Sequence, residues 1–402
     1  MRVMKTVMRE KQWAEKYPEL GTDPVPVEPN ISEDYFELER ERVFRRTWLC
    51  VGRVDDLPEV GNYFVRDIAI CRVSVLIIRG PDSEVRGFHN VCSHRGSRLV
   101  PDNCGTRRAK SIHCPYHHWV YNTMGELIRV PDEENFFDFE KGAHGLSPVH
   151  TDIWEGFIFV NLAATPPEAL TDYLGGIAEQ LDSFPFHEMK RAFTYRVEVN
   201  SNWKVILDGQ NELYHLPLLH HRLLGKDFVS NAEGNIRYLD VRLHNYHGFY
   251  AMNFPSFRTL TPLRLALGAD IHKTPKFHVP QMTGEMDQYM LFPNFVIEVV
   301  RLVRSTVYVT YNAWPLEVGR TVWEVRFHFR EPVSVRERLR QESFKRVTLD
   351  VLQEDVFAAE NVYAGLASRA KSHMILQDSE IVLRHRYKVL EDFVGFYSNS
   401  PR

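Results

Sequence analysis

From Leu49 to Leu162, apolar and polar positions alternate in short β-branched runs such as AICRVSVLII (69–78) and GFIFVNL (156–162), broken by Gly, Pro and Asn. A period of two between breakers predicts strands, so this stretch reads as a small all-β domain. Ahead of it, SEDYFELERERVFRRTW (Ser32 to Trp48) interleaves charges with Phe36, Val43 and Phe44, opens on a capping serine and has no internal Gly or Pro. That pattern predicts one helix. After the breaker Thr165-Pro166-Pro167, Leu170, Leu174, Ile177 and Leu181 recur at helical spacing. A strand is expected at AFTYRVEV (192–199), a helix after Trp203, and further strands around 236–251, 289–314 and 321–329. The helical period returns over about 334–370, with Leu339, Phe344, Val347, Val351, Leu352 and Val356 as its expected apolar side. Residues 252–286, rich in Pro, Thr and Gly, have little periodicity and read as a functional loop or lid.

A chain of 402 residues with 44% hydrophobic content can bury two cores, so the β-rich first part and the mixed second part predict two domains and an α+β class. The formal net charge of -4 offers no surface for neutralising phosphates, which excludes nucleic acid as a partner. The first twenty residues contain no apolar leader. No window approaches the roughly 18 apolar residues of a spanning helix, so the expectation is a cytoplasmic protein without a membrane partner. Five cysteines are too few and too scattered for a disulfide scaffold and favour metal ligands or free thiols. Cys50, Cys71 and Cys104 read as small buried hydrophobes or free thiols. The other two have histidines for company.

HNVCSHRGSRL (89–99) places Cys92 and His94 two apart, and HCPYHHW (113–119) places Cys114 and His117 three apart. Each loop offers one thiolate and one imidazole. A binuclear iron-sulfur centre of the Rieske kind needs two thiolates on one iron and two imidazoles on the other, so two such loops can clamp it. Tetrahedral zinc accepts the same four atoms. The mixed spacing favours the cluster, because finger-type zinc sites pair Cys with Cys and His with His.

SNWKVILDGQNELYHLPLLHH (201–221) carries His215 and His220 five apart, with Glu212 ahead of them. On a regular helix five residues turn the second ring about 140° from the first, too far to share an ion. Pro217 between them favours a break that could bring the rings together. A mononuclear ferrous site then needs one carboxylate, for which Glu354, Asp355 and Glu360 in LDVLQEDVFAAEN (349–361) are available.

Cys92-Ser-His94-Arg95-Gly96 and Cys114-Pro115-Tyr116-His117-x-Trp119 closely resemble the two cluster loops of Rieske proteins, over 46–165. Respiratory Rieske proteins carry an extra cysteine in each loop; Ser97 and Tyr116 stand there, which places the chain with oxygenases and ferredoxins. The residue after His117, commonly Gly in the family, is His118, expected at a surface or interface. Asn202-Trp203-Lys204, Glu212-x-Tyr214-His215, His220 and Glu354-Asp355 with Glu360 resemble the iron motif of Rieske non-haem iron oxygenases, large (alpha) subunits of the aromatic ring-hydroxylating family.

The resemblance implies a Rieske 2Fe-2S domain over 46–165, with ligands Cys92, His94, Cys114 and His117. It implies a catalytic domain over 1–45 and 166–402, a helix-grip-like antiparallel sheet covered by helices, with iron held by His215, His220 and Asp355. Glu360 is the fallback carboxylate, and Glu212 stands where the family bridges a cluster histidine of one subunit to an iron-ligating histidine of its neighbour. A homotrimer follows from that bridge. The implied enzyme is a mono- or dioxygenase taking dioxygen and a small hydrophobic, aromatic or cyclic substrate. The alternatives are oxidative N- or O-demethylation, as of a quaternary amine or methoxy compound, and a non-enzymatic electron carrier. No G-x-G-x-x-G occurs, so electrons are expected from a separate NAD(P)H-dependent reductase or ferredoxin. Gln210, Leu216, 252–286 and 290–300, with Phe254, Phe257, Phe292 and Phe295, are the expected pocket walls.

Overall fold

The computed structural model describes residues 12–101, 106–224, 238–253, 281–302 and 305–397. The chain forms two compact units, Arg40–Tyr173 and Met1–Glu39 with Leu174–Arg402. The expected sites Cys104, Phe254 and Phe257 and most of the expected loop lie outside the described residues. Among the described residues no helix is long and apolar enough to cross a membrane.

Ser32 starts a helix as expected, accepting a hydrogen bond from the Tyr35 N–H at 3.2 Å. The single helix expected to Trp48 is shorter. Helix α1 (Glu33–Glu39) passes into a π-turn at Arg40–Phe44, and the two compact units divide at that change. A π-turn widens the helix by one residue per bond, something a charge-apolar pattern does not register.

Unit Arg40–Tyr173 is built on an antiparallel sheet. Its strands are β1 (Leu49–Arg53), β2 (Asn62–Ile68), β3 (Val73–Arg79), β4 (Val85–His89), β5 (Arg107–Arg108), β9 (Pro148–Trp154) and β10 (Phe157–Asn161), in the order β1-β10-β9-β4-β3-β2-β5. Three short strands, β6 (Ser111–His113), β7 (Val120–Asn122) and β8 (Leu127–Arg129), form a second layer. Val65, Leu76, Phe88, Ile112, Trp119 and Tyr121 are buried together with Cys92 and Cys114 in one core. The cysteines therefore sit at the end of a rigid apolar stack rather than on a free loop.

At the boundary between the units lies α2 (Leu170–Leu174), and α3 (Gly176–Gln180) follows in the other unit, two short helices where one was expected. Gly175 between them has φ 46 and ψ -126, outside any helical conformation. A seven-stranded antiparallel sheet follows, comprising β11 (Lys190–Val199), β12 (Asp240–His244), β13 (His247–Met252), β14 (Met286–Leu291), β15 (Phe295–Leu302), β16 (Ser305–Glu317) and β17 (Arg320–Phe329). Its order is β11-β17-β16-β15-β14-β13-β12. Directly paired residues share a face. Tyr250, Gln288, Glu298 and Val309 form one row across β13 to β16, and Gly248, Met290, Val296 and Tyr311 form the next row on the same face.

Four further helices position the site: α4 (Trp203–Asp208), α5 (Leu216–Leu219), α6 (Val335–Ala367) and α7 (Ile381–Val394). Helix α7 packs on β12 and β13, α4 on β16 and β17, and α6 on α4. Gly248 permits the approach of α7: a Cβ there would stand 3.0 Å from Val382 Cγ1 and from Met290 Cε. Phe292 stacks on Phe393 at 5.2 Å between ring centroids, and Phe292 and Phe295 line a small cavity with Leu207, Val382 and Arg386. The contact of Phe292 is thus with α7, and both rings line this cavity beside it.

One buried ion pair ties α1 to α4. Glu39 and Lys204 are fully buried; Lys204 Nζ donates to Glu39 Oε1 at 2.7 Å, and Trp203 Nε1 donates to Oε2 at 3.2 Å. Removing one partner strands the other charge in a dry core. Glu39→Ala is expected to cost about 3–5 kcal/mol of stability. Chemical denaturation measures it; an unchanged midpoint would refute the pair's structural role.

Candidate active site: a cluster cradle and a histidine-carboxylate triad

The cluster cradle starts from two turns. After β4, Cys92 N–H closes a turn on Ser97 O at 2.8 Å, and Asn90 Nδ2 ties its own side chain to Val100 O at 2.8 Å. Between β6 and β7, Cys114 N–H closes the second turn on Trp119 O at 2.8 Å. His118 lies in that turn with φ 55, in the left-handed region, and is exposed. That backbone explains why glycine suits the position, and the exposure is as expected of a surface residue.

The turns bring like to like. The His94 and His117 rings lie 4.7 Å apart between centroids, and the Cys92 and Cys114 thiols lie within hydrogen-bond reach of each other. His94 stacks on Trp119 at 4.9 Å, and Tyr116 packs on His117 at 3.7 Å. Tyr121 Oη lies 3.2 Å from Cys92 Sγ. Burial pushes the Cys92 thiol up, with Tyr121 opposing. At Cys114 burial also acts upward, but the backbone N–H groups of Tyr116 and His117 outweigh it and hold the thiol below its ordinary value. Burial keeps His94 low, in its neutral ligand form. Its buried Nδ1 has no hydrogen-bond partner. Paired thiols, paired imidazoles and N–H groups aimed at sulfur fit a two-iron cluster with distinct ends.

The second site is built on α4 to α6. Asn202 caps α4, its side chain accepting from Lys204 N–H at 3.0 Å. The chain then leaves the helix: Gly209–Asn211 is a 3-10 turn and Glu212 is extended at φ -148 and ψ 167. The expected broken helix is replaced by one turn, α5, with His215 at its N-cap and His220 at its C-cap. Pro217 sits in the first turn, where a missing N–H costs nothing, so it starts this helix rather than breaking a longer one. The rings meet at 5.1 Å between centroids.

Helix α6 supplies the carboxylates, capped by Ser334 Oγ accepting from Glu337 N–H at 3.2 Å. His215, His220 and Asp355 each offer one ligand atom, all within 4.8 Å of one another. Asp355 Oδ1 lies 3.0 Å from His220 Nε2 and 3.7 Å from His215 Nε2. His220 Nε2 is buried and faces the Asp355 carboxylate. The opposite nitrogens are anchored: His220 Nδ1 lies 2.8 Å from Glu354 Oε2, and His215 Nδ1 contacts Glu212 Oε1. Carboxylates on both Nδ1 atoms fix the tautomer that leaves both Nε2 atoms free for an ion. Asp355 and Glu354 hold His220 above the ordinary histidine range although burial opposes them, and a metal competes for the same Nε2. Two converging imidazoles and one carboxylate fit a ferrous ion with open positions.

Glu360 stands apart from this group, accepting from Asn200 N–H at 2.9 Å and Nδ2 at 3.0 Å. Two positioning contacts were not foreseen. Glu354 was weighed only as a ligand, and Gln210, expected as a wall, donates to Asp355 Oδ2 at 3.4 Å. The adjacency of Glu354 and Asp355 was the available signal: neighbours on a helix point about 100° apart, so they cannot both face one ion.

A family model described as the catalytic domain of ring hydroxylating alpha subunits matches residues 186–395, and one described as the Rieske 2Fe-2S domain matches 47–146. This chain belongs to the ring-hydroxylating alpha-subunit family. Its two domains are those that take a 2Fe-2S cluster and a mononuclear iron. The glycine betaine monooxygenase oxygenase subunit of Chromohalobacter salexigens is 35% identical over 189 residues, which cover 47% of this alpha subunit and 41% of that chain. The carnitine monooxygenase oxygenase subunit of Escherichia coli K12 is 33% identical over 233 residues, covering 57% and 58% respectively. The alpha subunit thus matches about half the length of these curated relatives. Naphthalene 1,2-dioxygenase from Rhodococcus sp., solved with indole bound, superposes with a TM-score of 0.75 at 20% identity, over 97% of this chain and 99% of that one. That likeness establishes the alpha-subunit fold, an all-β cluster domain beside an antiparallel sheet with helices.

Proposed function

We propose that this chain is the terminal oxygenase of a Rieske monooxygenase acting on a quaternary ammonium compound, with electrons supplied by a separate reductase or ferredoxin. Cys92 and Cys114 with His94 and His117 would hold the cluster; His215, His220 and Asp355 would hold the iron. The observation that carries the oxygenase reading is the convergence of both Nε2 atoms on Asp355, in a chain that also carries a cluster cradle. A simple electron carrier would leave that triad idle. When bound, the cluster supplies single electrons and the iron activates dioxygen.

The relatives' names shift the substrate from an arene to a quaternary amine, the second of the two readings open from the sequence. The wall supports the shift. Tyr250, Gln288 and Gln210 form a buried polar network beside Asp355, which a hydrocarbon site does not call for: Tyr250 Oη lies 2.9 Å from Gln288 Oε1 and 3.2 Å from Gln210 O. Oxidation of a carbon next to the ammonium nitrogen would release it as an aldehyde. Glu354 and Glu212 orient the histidines, and Gln210 holds Asp355 with one oxygen toward them. The same reading makes the chain a cytoplasmic homotrimer in which Glu212 bridges to a cluster histidine of the neighbouring subunit.

The test is substrate-dependent oxygen uptake by holoprotein with a reductase, comparing glycine betaine and carnitine with naphthalene. Uptake and aldehyde release with the amines, together with about three irons per chain, are expected. Uptake with the arene alone overturns the substrate class, and about two irons per chain overturns the oxygenase.

A further inference from the structure

The inner face of the sheet holds a carboxylate that the metal set does not use. Glu298, on β15, pairs with Gln288 of β14 and Val309 of β16 and shares its face with Tyr250 and Tyr311. That face looks toward the iron site, because Tyr250 and Gln288 both hydrogen-bond to the Gln210 carbonyl and the Gln210 side chain holds Asp355. Tyr250, Gln288 and Tyr311 are buried, whereas Glu298 retains accessible surface. It accepts one hydrogen bond, from Tyr311 Oη at 3.2 Å, and among the described residues no Lys, Arg or His pairs with it.

A carboxylate turned inward without a cation is costly, and this one shows the cost. Burial pushes its pKa up to about 7, the negative Asp355 adding to the rise and the Tyr311 hydrogen bond opposing it. Tyr311 touches it, and Tyr250 lies in the same row of the sheet face, across Gln288. A quaternary ammonium has no N–H to donate. It is held by opposite charge and by aromatic contact, and an inward carboxylate beside Tyr311 supplies the charge. A hydrocarbon would gain nothing from the charge and would leave it desolvated.

We infer that Glu298 is the counter-charge for the substrate's quaternary ammonium group and therefore a specificity-determining residue of this site. The inference rests on the quaternary-ammonium reading above. Glu298 holds the ammonium end of the substrate at the sheet face, a contact made equally before and during reaction and therefore read in affinity rather than in kcat. Glu212 and Asp355 are occupied with the histidines, which leaves Glu298 as the carboxylate of this wall free to meet a cation.

The test compares wild type with Glu298→Gln, which keeps an acceptor for Tyr311 and removes only the charge. Loss of a desolvated charge does not threaten folding. Measured are KM and kcat for glycine betaine and carnitine, equilibrium binding of tetramethylammonium, and binding of a neutral analogue with carbon in place of nitrogen. For Glu298→Gln, KM is expected to rise about ten- to a hundredfold and tetramethylammonium affinity to fall in parallel. The expected kcat stays within about twofold, neutral-analogue binding, cluster spectrum and iron content are unchanged, and Glu298→Asp restores part of the cation affinity. A merely structural role would lower kcat or iron content without separating cation from neutral analogue, and would overturn the inference. If wild type takes the cations and the variant binds them equally well, Glu298 alone is reassigned. If wild type binds no cation, the substrate class falls and Glu298 with it.

Discussion

Asp355→Ala is expected to empty the mononuclear iron site, abolish turnover and leave the cluster spectrum untouched. Asp355 is the only carboxylate of the convergent group among the described residues, with Oδ1 3.0 Å from His220 Nε2. Glu354, one residue earlier, faces His220 Nδ1 and cannot take its place, and Glu360 is bound to Asn200. Two imidazoles alone hold ferrous iron weakly, because they leave the ion's charge uncompensated. Iron should fall from about three to about two per chain while the 2Fe-2S absorption stays constant. Unchanged stoichiometry after chelator treatment and dialysis would place the third ligand elsewhere.

Glu212→Ala has the second largest expected effect, and the structure separates two causes for it. The backbone at Glu212 is extended, so its carboxylate folds back on its own loop. Oε2 accepts from the Tyr214 N–H and from the His215 N–H at 3.1 Å, while Oε1 contacts His215 Nδ1. Alanine therefore releases the His215 tautomer and is expected to weaken iron binding about 10–100-fold. The proposed bridge to a neighbouring cluster predicts something further: turnover stays absent when excess ferrous iron refills the site. Glu212→Gln keeps an acceptor at His215 and should retain iron, yet it lacks the charge that would link two histidines. Single-turnover reduction of the iron site by pre-reduced cluster separates the causes. Full recovery of turnover on adding iron to Glu212→Ala would confine Glu212 to holding His215.

The apolar side of α6 shows where pattern reading reaches its limit. Periodicity assigned it to Leu339, Phe344, Val347, Val351, Leu352 and Val356, but Leu339 is half exposed at 51% and the buried stripe is Leu352, Asp355 and Ala359. An acidic residue on the inward stripe contradicts hydrophobic patterning, and it does so at the residue that converges with the two histidines. A related conflict marks Glu298, a carboxylate without a cation on an inward sheet face. A binary pattern treats each carboxylate as solvated, and only the surrounding elements show which are not.

Local sequence alone determined the features whose causes are local. Cys92 with His94 and Cys114 with His117 each fall within one tight turn, so their spacing already carried the ligand chemistry, and strands and breakers marked the β domain around them. Ser32 as a helix start was equally legible, because a cap is a bond between near neighbours. What the tertiary structure decided was long-range. The separation of 134 positions from His220 to Glu354 carries no record of which carboxylate returns to which nitrogen. Nor could spacing show that Pro217 begins a turn with histidines at both ends, since that depends on α4 stopping at Asp208 and the chain running extended through Glu212. Choosing among Glu354, Asp355 and Glu360 required the rotation of α6 against α4, which packing sets and periodicity does not.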